Sequence, residues 1–240
     1  IVNTCTVTEK GDADTRRLVN KINRQTPGSK IALVGCQAQI LKNQLLNLPN
    51  VQWVVGNANK FKIESIIAQS KPEEAPHLNV DKIKRETFRV PYASIDTQHT
   101  RANIKIQDGC DFYCSFCVIP FARGPARSRD FKDIINEVNE LVTAGHQEVV
   151  ITGINLGTYS DPPHTFLDVL DELEKIEGLA RIRISSIEPT TIPTELFDRM
   201  TPGSKLCHYL HIPLQSGCDH TLSEMARKYT RAEFLDFIEL

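Results

Sequence analysis

The sequence predicts an α/β fold with two parallel-sheet domains, and three observations predict it. Short apolar runs alternate with amphipathic runs in residues 1–69, and the same alternation resumes in residues 101–240. A polar, proline-bearing stretch, residues 70–100, separates the two regions. Strands that alternate with helices are typical of βαβ units, in which helices cover a parallel sheet. We therefore expect an amino-terminal α/β domain, a linker, and a (β/α) barrel or part of one.

The elements of the first domain follow from the spacing of its apolar residues. Residues 31–34 form a short apolar run before Gly35, and residues 51–55 form another before Gly56. Runs of this length that end at glycine are typical of buried strands. Residues 1–3 have the composition of the end of a further strand. Helices are expected over residues 12–25, over residues 37–48 and around residues 61–67.

The second domain repeats one strand–helix pattern four times. Period-two or continuous apolar runs predict the strands, and apolar spacing of 3.6 residues predicts the helices. The expected strands are residues 102–107, 148–152, 181–186 and 209–213, and the expected helices are residues 131–144, 166–176, 194–200 and 221–227. Four βα units indicate a (β/α) barrel or part of one, whose chemistry would lie at the carboxyl ends of the strands.

Composition places the chain among ordinary globular proteins. Of its 240 residues, 40% are hydrophobic and 24% are charged, which argues against a disordered or collagen-like chain. No apolar run approaches the ~18 residues of a membrane helix, and no signal-peptide core opens the chain. A net charge of -2 gives no general support to nucleic-acid binding, although a local basic patch is compatible with it. Seven cysteines fit thiols or metal ligands in a reducing compartment better than a closed disulfide framework.

Both ends of the chain lie inside expected elements. Residue 1 is Ile within a strand-like run, and residues 231–240 have helical apolar spacing with no Gly or Pro stop. We therefore expect the sequence to be a fragment of a longer protein.

The strongest chemical signal is a group of three cysteines, Cys110, Cys114 and Cys117, spaced C-x3-C-x2-C. The group follows the first expected strand of the second domain. Three thiolates leave one iron of a four-iron cluster without a protein ligand. An open coordination position is typical of catalytic metal sites, and Phe116 could shield the cluster from water. The alternative is a structural zinc site in a binding module, but zinc sites prefer C-x2-C pairs.

With an aromatic residue before its last cysteine, this motif resembles that of the radical SAM superfamily. The surrounding residues 105–124 resemble the methylthiotransferase branch, and this resemblance extends over nearly the whole chain. It implies that the three cysteines hold a [4Fe-4S] cluster whose open iron binds S-adenosylmethionine. A deoxyadenosyl radical then removes hydrogen from C2 of an adenine, and a second cluster supplies sulfur. A second S-adenosylmethionine would supply the methyl group.

Cys5 and Cys36 each follow an expected strand and precede an expected helix in the first domain. Thiols at helix N-termini favour the thiolate form, although such cysteines are more often small core residues. The resemblance implies that they are two of the three ligands of the second cluster. The segment that would carry the first ligand lies upstream of Cys5, so we expect the chain as given to lack that cluster and to turn over weakly or incompletely.

Five further residues are candidates for contact with S-adenosylmethionine because they follow strands of the expected barrel. A glycine lets the backbone approach a ligand closely, and a carboxylate is a strong hydrogen-bond acceptor. The alternatives are an ordinary turn after the second strand and a helix cap after the third. The five residues, which the resemblance favours, are Gly153, Asn155, Ser186, Glu188 and Gln215.

Three arginines after the cysteine motif, Arg123, Arg127 and Arg129, could contact RNA phosphates. A solvated basic loop is the alternative, and the resemblance favours the RNA-facing interpretation. Cys207 and Cys218 lie outside both cysteine groups and are interpreted as structural thiols.

Residues 105–110, 185–189 and 210–217 are most similar to the branch that modifies threonylcarbamoyladenosine in tRNA. The branches acting on isopentenyladenosine in tRNA and on a ribosomal-protein aspartate are the alternatives. The resemblance implies a tRNA substrate, a flavodoxin-like or ferredoxin-like electron donor, a sulfur donor and a cytoplasmic location.

Overall fold

A computed structural model of the chain describes residues 1–6, 8–70, 75–91 and 100–239. The chain divides into two compact units. Unit 1 comprises Ile1–Lys84 and Cys117–Gly124, and unit 2 comprises Arg85–Phe116 and Pro125–Leu240. The short segment from Cys117 to Gly124 therefore groups with unit 1, although it lies far along the chain. Part of the expected linker, residues 71–74 and 92–99, falls outside the described residues.

Unit 1 is built on a parallel sheet with the strand order β1-β2-β3-β4. The strands are β1 Val2–Thr4, β2 Ile31–Gly35, β3 Val51–Val55 and β4 His77–Asn79. Thr4 pairs with Gly35, and Val55 pairs with Val34 and Asn79, so the strands end at one edge of the sheet. The fourth strand lies within the stretch that composition assigned to a linker.

Helices cover both faces of this sheet, which explains why every residue of β2 and β3 is buried. The helices of unit 1 are α1 Glu9–Gln25, α2 Cys36–Leu41, α3 Asn43–Leu46, α4 Ile63–Gln69 and α5 Ile119–Arg123. On one face, Leu33 and Val54 pack in a cluster with Val19 of α1. On the other face, Val34 and Val55 pack against apolar side chains of α4. Continuous apolar strands are typical of parallel sheets covered on both sides.

The single helix expected over residues 37–48 is wrong, because α2 and α3 are separate. Lys42, between them, has a φ of 45°, which lies in the left-handed region that interrupts a right-handed helix. Apolar periodicity continues through the break because Leu41 and Leu45 still pack on the same cluster.

Unit 2 contains a three-stranded parallel sheet in the order β11-β8-β5. These strands are β5 Arg101–Lys105, β8 Glu148–Thr152 and β11 Arg181–Ile184. Four further two-residue strands form antiparallel pairs, β6 Gln107–Asp108 with β7 Arg127–Ser128, and β9 Ser160–Asp161 with β10 His164–Thr165. The α/β fold class predicted from the sequence is confirmed.

The core of unit 2 lies on one face of its sheet. Alternate strand residues, such as Ile104, Ile151 and Ile182, are fully buried there. Val138 of α6 (Phe131–Thr143) and Leu170 of α7 (Phe166–Lys175) pack in the same cluster. Burying each such side chain stabilises the fold by roughly 1.5–3 kcal/mol. The helices of unit 2 are α6 Phe131–Thr143, α7 Phe166–Lys175, α8 Glu195–Arg199, α9 Asp219–Glu224 and α10 Arg231–Ile238.

The strand expected over residues 209–213 is not formed. Isolated bridges join Leu206 to Ile182 and His211 to Ser186 instead. Tyr209 N donates a hydrogen bond to Cys207 O at 2.7 Å, which closes a local turn. The Tyr209 N–H is therefore not available for pairing with a neighbouring strand. Pro213 has no N–H to donate, so a continuous ladder is interrupted there as well.

The amino terminus of α6 is capped by Asp130, whose side chain accepts a hydrogen bond from Asp133 N at 2.9 Å. Arg89 also donates to the Asp130 carboxylate at 2.8 Å. The hydrogen bond from Arg89, followed by that from Asp133, lowers the pKa of Asp130.

Within the described ranges, no helix combines the length and apolar character needed to cross a bilayer.

Candidate metal centre

Cys110 and Cys114 lie in a loop that follows β6 in unit 2, just beyond the carboxyl end of β5. Gly109, which opens the loop, has a φ of 78° that side chains rarely adopt, and Tyr113 also lies in the left-handed region. The Cys110 sulfur accepts a hydrogen bond from Phe112 N at 3.5 Å. Cys114 is buried, and both cysteines are free thiols.

Two aspartates fix this cysteine loop. The buried Asp108 carboxylate accepts from Gly109 N at 3.1 Å and from Arg127 at 3.1 Å. The Asp111 carboxylate accepts both terminal nitrogens of Arg85, at 2.8 and 2.9 Å. Such bidentate pairs fix orientation as well as distance. Gly109 and Asp111, the residues on either side of Cys110, are therefore each fixed by hydrogen bonds with a charged side chain.

Gln107 joins the cysteine loop to the loop that follows β8. Its side-chain oxygen accepts from Ile154 N at 2.8 Å and from Asn155 N at 2.9 Å. Its side-chain nitrogen donates to Gly109 O at 2.9 Å and to Thr158 Oγ1 at 3.2 Å. Because Gln107 is fully buried, these bonds are made away from water. One side chain thus fixes the spacing of the first two strand-end loops.

Arg227 contacts the cysteine loop from the carboxyl-terminal end of α9. Its Nη1 donates to the Cys114 sulfur at 3.1 Å, and its Nη2 forms an ion pair with Glu188. The side chain of Arg227 is only 2% exposed. Burial opposes its charged form, but the Glu188 carboxylate outweighs this effect and raises the pKa of Arg227. A permanent positive charge therefore lies beside one thiol.

The remaining predicted thiol ligands lie in unit 1. Cys5 and Cys36 each directly follow a residue of the register pair Thr4 and Gly35, at the carboxyl edge of the sheet. Cys36 is buried at the start of α2, where its sulfur accepts from Asn57 Nδ2 at 3.5 Å, and Cys5 is exposed. Cys117 is partly buried at the start of the segment that packs with unit 1.

In the part of the chain that the structure describes, no three His, Cys, Asp or Glu side chains are grouped as metal ligands. The fit to an iron–sulfur cluster therefore depends on the chemistry of the donors. Clusters are held by thiolates, and hydrogen bonds to the sulfurs tune them. Cys110 accepts a backbone N–H and Cys114 accepts a guanidinium N–H. Both sulfurs thus accept hydrogen bonds of the kind that ligand sulfurs accept, so this donor set fits a cluster.

Gly153 and Asn155 lie in the loop after β8, but Gly153 serves packing. A Cβ on it would lie 2.8 Å from Leu156 and 3.0 Å from Gln107. Asn155 is fully buried, and its Oδ1 accepts from Thr191 at 2.8 Å. Its Nδ2 has no partner among the described residues, so it is a buried donor available to a ligand.

The other cofactor candidates have different surroundings. Ser186 Oγ lies 2.7 Å from His211 Nδ1, and Glu188 is held by Arg227. Gln215 is exposed with a φ of 67°, and its side chain forms no hydrogen bond within the described ranges. The structure thus joins Glu188 to the cysteine loop and leaves Gln215 apart from these contacts.

The three arginines after the cysteine motif differ in their environment. Arg129 is 2% exposed and forms ion pairs with Asp133 and Glu137 of α6, so an RNA-facing role is wrong for this residue. Arg127 is partly exposed and lines a cavity of about 380 Å³ in unit 2. Arg123, in unit 1, ends α5 and is partly buried.

Sequence reasoning missed the residues that hold the cysteine loop. Gln107 and Asp108 had a signal, because they are polar residues that directly continue the apolar strand run and precede Gly109. No sequence signal points to Arg227, because it lies 113 residues beyond Cys114 along the chain.

Two family models match the chain. Residues 104–240 match the Radical SAM superfamily, and residues 1–56 match a family described as Uncharacterized protein family UPF0004. The first match includes the cysteine loop and the strand ends described above. It covers more than half of the chain.

Alignments over almost the whole of this chain show that it is similar to proteins named as tRNA-modifying enzymes. The threonylcarbamoyladenosine tRNA methylthiotransferase MtaB of Bacillus subtilis is 40% identical, over 98% of this chain and 53% of that protein. Its namesake from Aquifex aeolicus is 35% identical, over 99% and 58%. The tRNA-2-methylthio-N(6)-dimethylallyladenosine synthase of Thermodesulfovibrio yellowstonii is 34% identical, over 99% and 55%. The chain therefore spans little more than half the length of these relatives.

The fold is similar to that of a solved radical S-adenosylmethionine methyltransferase, TsrM from Kitasatospora setae. The TM-score is 0.71 over 100% of this chain and 53% of that chain. At 16% identity, this likeness concerns the fold alone. The family match over residues 104–240, more than half of the chain, places the chain in the radical SAM superfamily.

Proposed function

We propose that this chain belongs to a tRNA methylthiotransferase and carries its radical-generating centre. The main support for this proposal is the C-x3-C-x2-C group, which lies within the region that matches the Radical SAM model. Cys110, Cys114 and Cys117 would hold a [4Fe-4S] cluster through their thiolates. When bound, the reduced cluster supplies an electron that cleaves S-adenosylmethionine and starts hydrogen abstraction from adenine C2.

The chain's own residues orient this centre. Gln107 fixes the two strand-end loops, and Asp108 and Asp111 hold the residues around Cys110. The unpartnered Nδ2 of Asn155 is a donor for a carboxylate or hydroxyl of S-adenosylmethionine. Ser186 and Gln215 stay candidates for its polar groups. A buried amide that lacks a partner is costly, so a ligand acceptor at this place would stabilise it.

Unit 1 would contribute to a second cluster, the source of sulfur. Cys5 and Cys36 follow paired strand ends, which supports a common ligand role. The Asn57 amide donates to the Cys36 sulfur, as expected beside a thiolate ligand. A sulfur donor would restore this cluster between turnovers, and a flavodoxin-like or ferredoxin-like protein would supply electrons. A cytoplasmic location is inferred from the tRNA substrate.

The proposed substrate is threonylcarbamoyladenosine beside the anticodon of tRNA, methylthiolated at C2. The names of the relatives from Bacillus subtilis and Aquifex aeolicus support this substrate. Dimethylallyladenosine, also called isopentenyladenosine, is the second candidate, because a relative named for it is 34% identical. Arg127 and Arg123 are the arginines proposed to contact RNA phosphates.

The test separates radical chemistry from sulfur insertion. The chain is reconstituted with iron and sulfide without oxygen, then mixed with dithionite, S-adenosylmethionine and tRNA deuterated at C2 of the modified adenine. Hydrogen removed from C2 must appear in 5′-deoxyadenosine, which mass spectrometry detects. We expect deuterium transfer from tRNA carrying threonylcarbamoyladenosine. Transfer only from tRNA carrying isopentenyladenosine would favour the second candidate.

Matched cysteine variants control this experiment. The triple variant Cys110/Cys114/Cys117→Ala should form no 5′-deoxyadenosine. The double variant Cys207/Cys218→Ala alters thiols outside both cysteine groups and should behave like the unmodified chain. Absence of 5′-deoxyadenosine from a chain that holds a complete cluster would overturn the proposal.

A further inference from the structure

Arg227 places a positive charge beside Cys114, one of the proposed cluster ligands. The sulfur of Cys114 accepts a hydrogen bond from a charged group, the Arg227 guanidinium. The guanidinium is almost fully buried, and its Nε has no partner among the described residues. Its two outer nitrogens are committed to Cys114 and Glu188.

The end of α9 determines where Arg227 lies. Arg227 N donates to Leu222 O at 2.9 Å, and Ala226 N donates to Ser223 O at 2.9 Å. This is the hydrogen-bond pattern of a Schellman motif, which requires a left-handed residue at its C′ position. Ala226 occupies that position with a φ of 54°. A fixed helix end, rather than a free surface loop, therefore presents the guanidinium.

A second contact ties the same segment to the cysteine loop. Ser115 N donates to Met225 O at 3.1 Å, directly beside Cys114. The Arg227 guanidinium also lies 5.1 Å from the centre of the Tyr229 ring, which covers it. The cysteine loop, the end of α9 and the Tyr229 ring together keep the Arg227 charge beside the sulfur and away from water. Electrostatic interactions are strongest in such water-excluded surroundings.

We propose that Arg227 is a positioning residue that raises the reduction potential of a cluster bound through Cys114. Reduction adds one electron, so it adds negative charge to the cluster and its thiolates. A buried cation that donates to a ligand sulfur stabilises the reduced form more than the oxidised form. Glu188 holds the guanidinium in place. This inference rests on the proposed function, because it requires a cluster on the three cysteines.

The alternative is that Arg227 only supports the fold. A structural role predicts that its loss lowers stability but leaves the potential of any cluster that assembles unchanged. The reduction potential is therefore the readout that separates the two roles. Arg199 provides a matched control, because it also forms an ion pair in unit 2, with Asp171 of α7.

The experiment is an anaerobic redox titration with dithionite, followed by electron paramagnetic resonance. The reconstituted unmodified chain is compared with Arg227→Gln, Arg227→Lys and Arg199→Gln. We expect Arg227→Gln to shift the reduction equilibrium at least tenfold towards the oxidised cluster, which is about 59 mV for one electron. Arg227→Lys keeps the charge, so its reduction potential should lie between those of the unmodified chain and Arg227→Gln. Arg199→Gln should match the unmodified chain.

Each outcome decides the inference. Equal reduction potentials for Arg227→Gln and Arg199→Gln would overturn it. It would also be overturned if the potential of Arg227→Lys were no closer to that of the unmodified chain than the potential of Arg227→Gln is. If the Gln variant does not fold, hyperfine spectroscopy of the unmodified reduced chain labelled with ¹⁵N-arginine is the test. A ¹⁵N coupling supports the contact, and its absence overturns it. Failure of the unmodified chain to hold any iron would instead overturn the proposed function.

Discussion

Replacing Gln107 by Ala should destabilise unit 2 far more than its size suggests. Gln107 is fully buried and links the cysteine loop to the loop after β8. The substitution removes one acceptor of two backbone N–H groups and one donor to a backbone carbonyl. Asn155 N and Gly109 O are the buried groups that lose their partner.

The magnitude follows from these lost partners. A buried polar group left without a hydrogen bond costs about 1–3 kcal/mol. Two such groups predict a loss of about 2–6 kcal/mol in the free energy of unfolding of unit 2. Gln147 is exposed in the same unit and forms no side-chain hydrogen bond within the described ranges. Gln147→Ala, the matched control, should change stability by less than about 0.5 kcal/mol.

Native-state hydrogen exchange, read by mass spectrometry on peptides of each unit, measures these losses separately. The single tryptophan, Trp53, is buried in β3 and gives an independent fluorescence signal for unit 1. In Gln107→Ala, exchange should accelerate in peptides that contain residues 107–110 and 153–158, while the Trp53 transition stays in place. A loss of stability no larger than that of Gln147→Ala would show that Gln107 does not hold the two loops together.

Three other predictions concern unit 2. Arg129→Met should cost up to about 3–5 kcal/mol of stability, because it leaves two partly buried carboxylates without their cation; an effect confined to tRNA affinity in a binding assay would contradict this. Gly157→Ala should cost about 1–3 kcal/mol by thermal denaturation, since a Cβ would overlap the Thr191 backbone, whereas Gly217→Ala meets open space and should be neutral. Asp130→Asn should flatten the acid dependence of stability. The lowered pKa of Asp130 means that its contribution is present above its unfolded pKa of about 3.9 and is lost as pH falls through the folded value. Urea unfolding at several pH values checks this, and an unchanged slope would count against it.

The sheets could be predicted because their strands are short apolar runs with clear limits. The predicted strands at 51–55 and 148–152 agree with β3 and β8 at both ends. Both runs are rich in β-branched residues and end at glycine. The break at Lys42 could not be predicted, because apolar spacing does not record a left-handed residue. The strand expected at 209–213 failed because local turns compete with ladder pairing.

The candidate site could be predicted only where its residues are close along the chain. The spacing of Cys110, Cys114 and Cys117 indicates a metal centre without any structure. Arg129 looked like part of a basic loop, but its carboxylate partners lie one and two turns along α6. Arg227 could not be connected to Cys114, because their contact depends on how α9 folds back onto the loop.

Anaerobic quantification of iron and acid-labile sulfide on the reconstituted chain tests directly whether Cys110, Cys114 and Cys117 hold an iron–sulfur cluster. About four irons and about four sulfides per chain are expected, lost in the Cys110/Cys114/Cys117→Ala variant and retained in Cys207/Cys218→Ala. Zinc without sulfide, or iron and sulfide retained by the triple variant, would contradict this expectation.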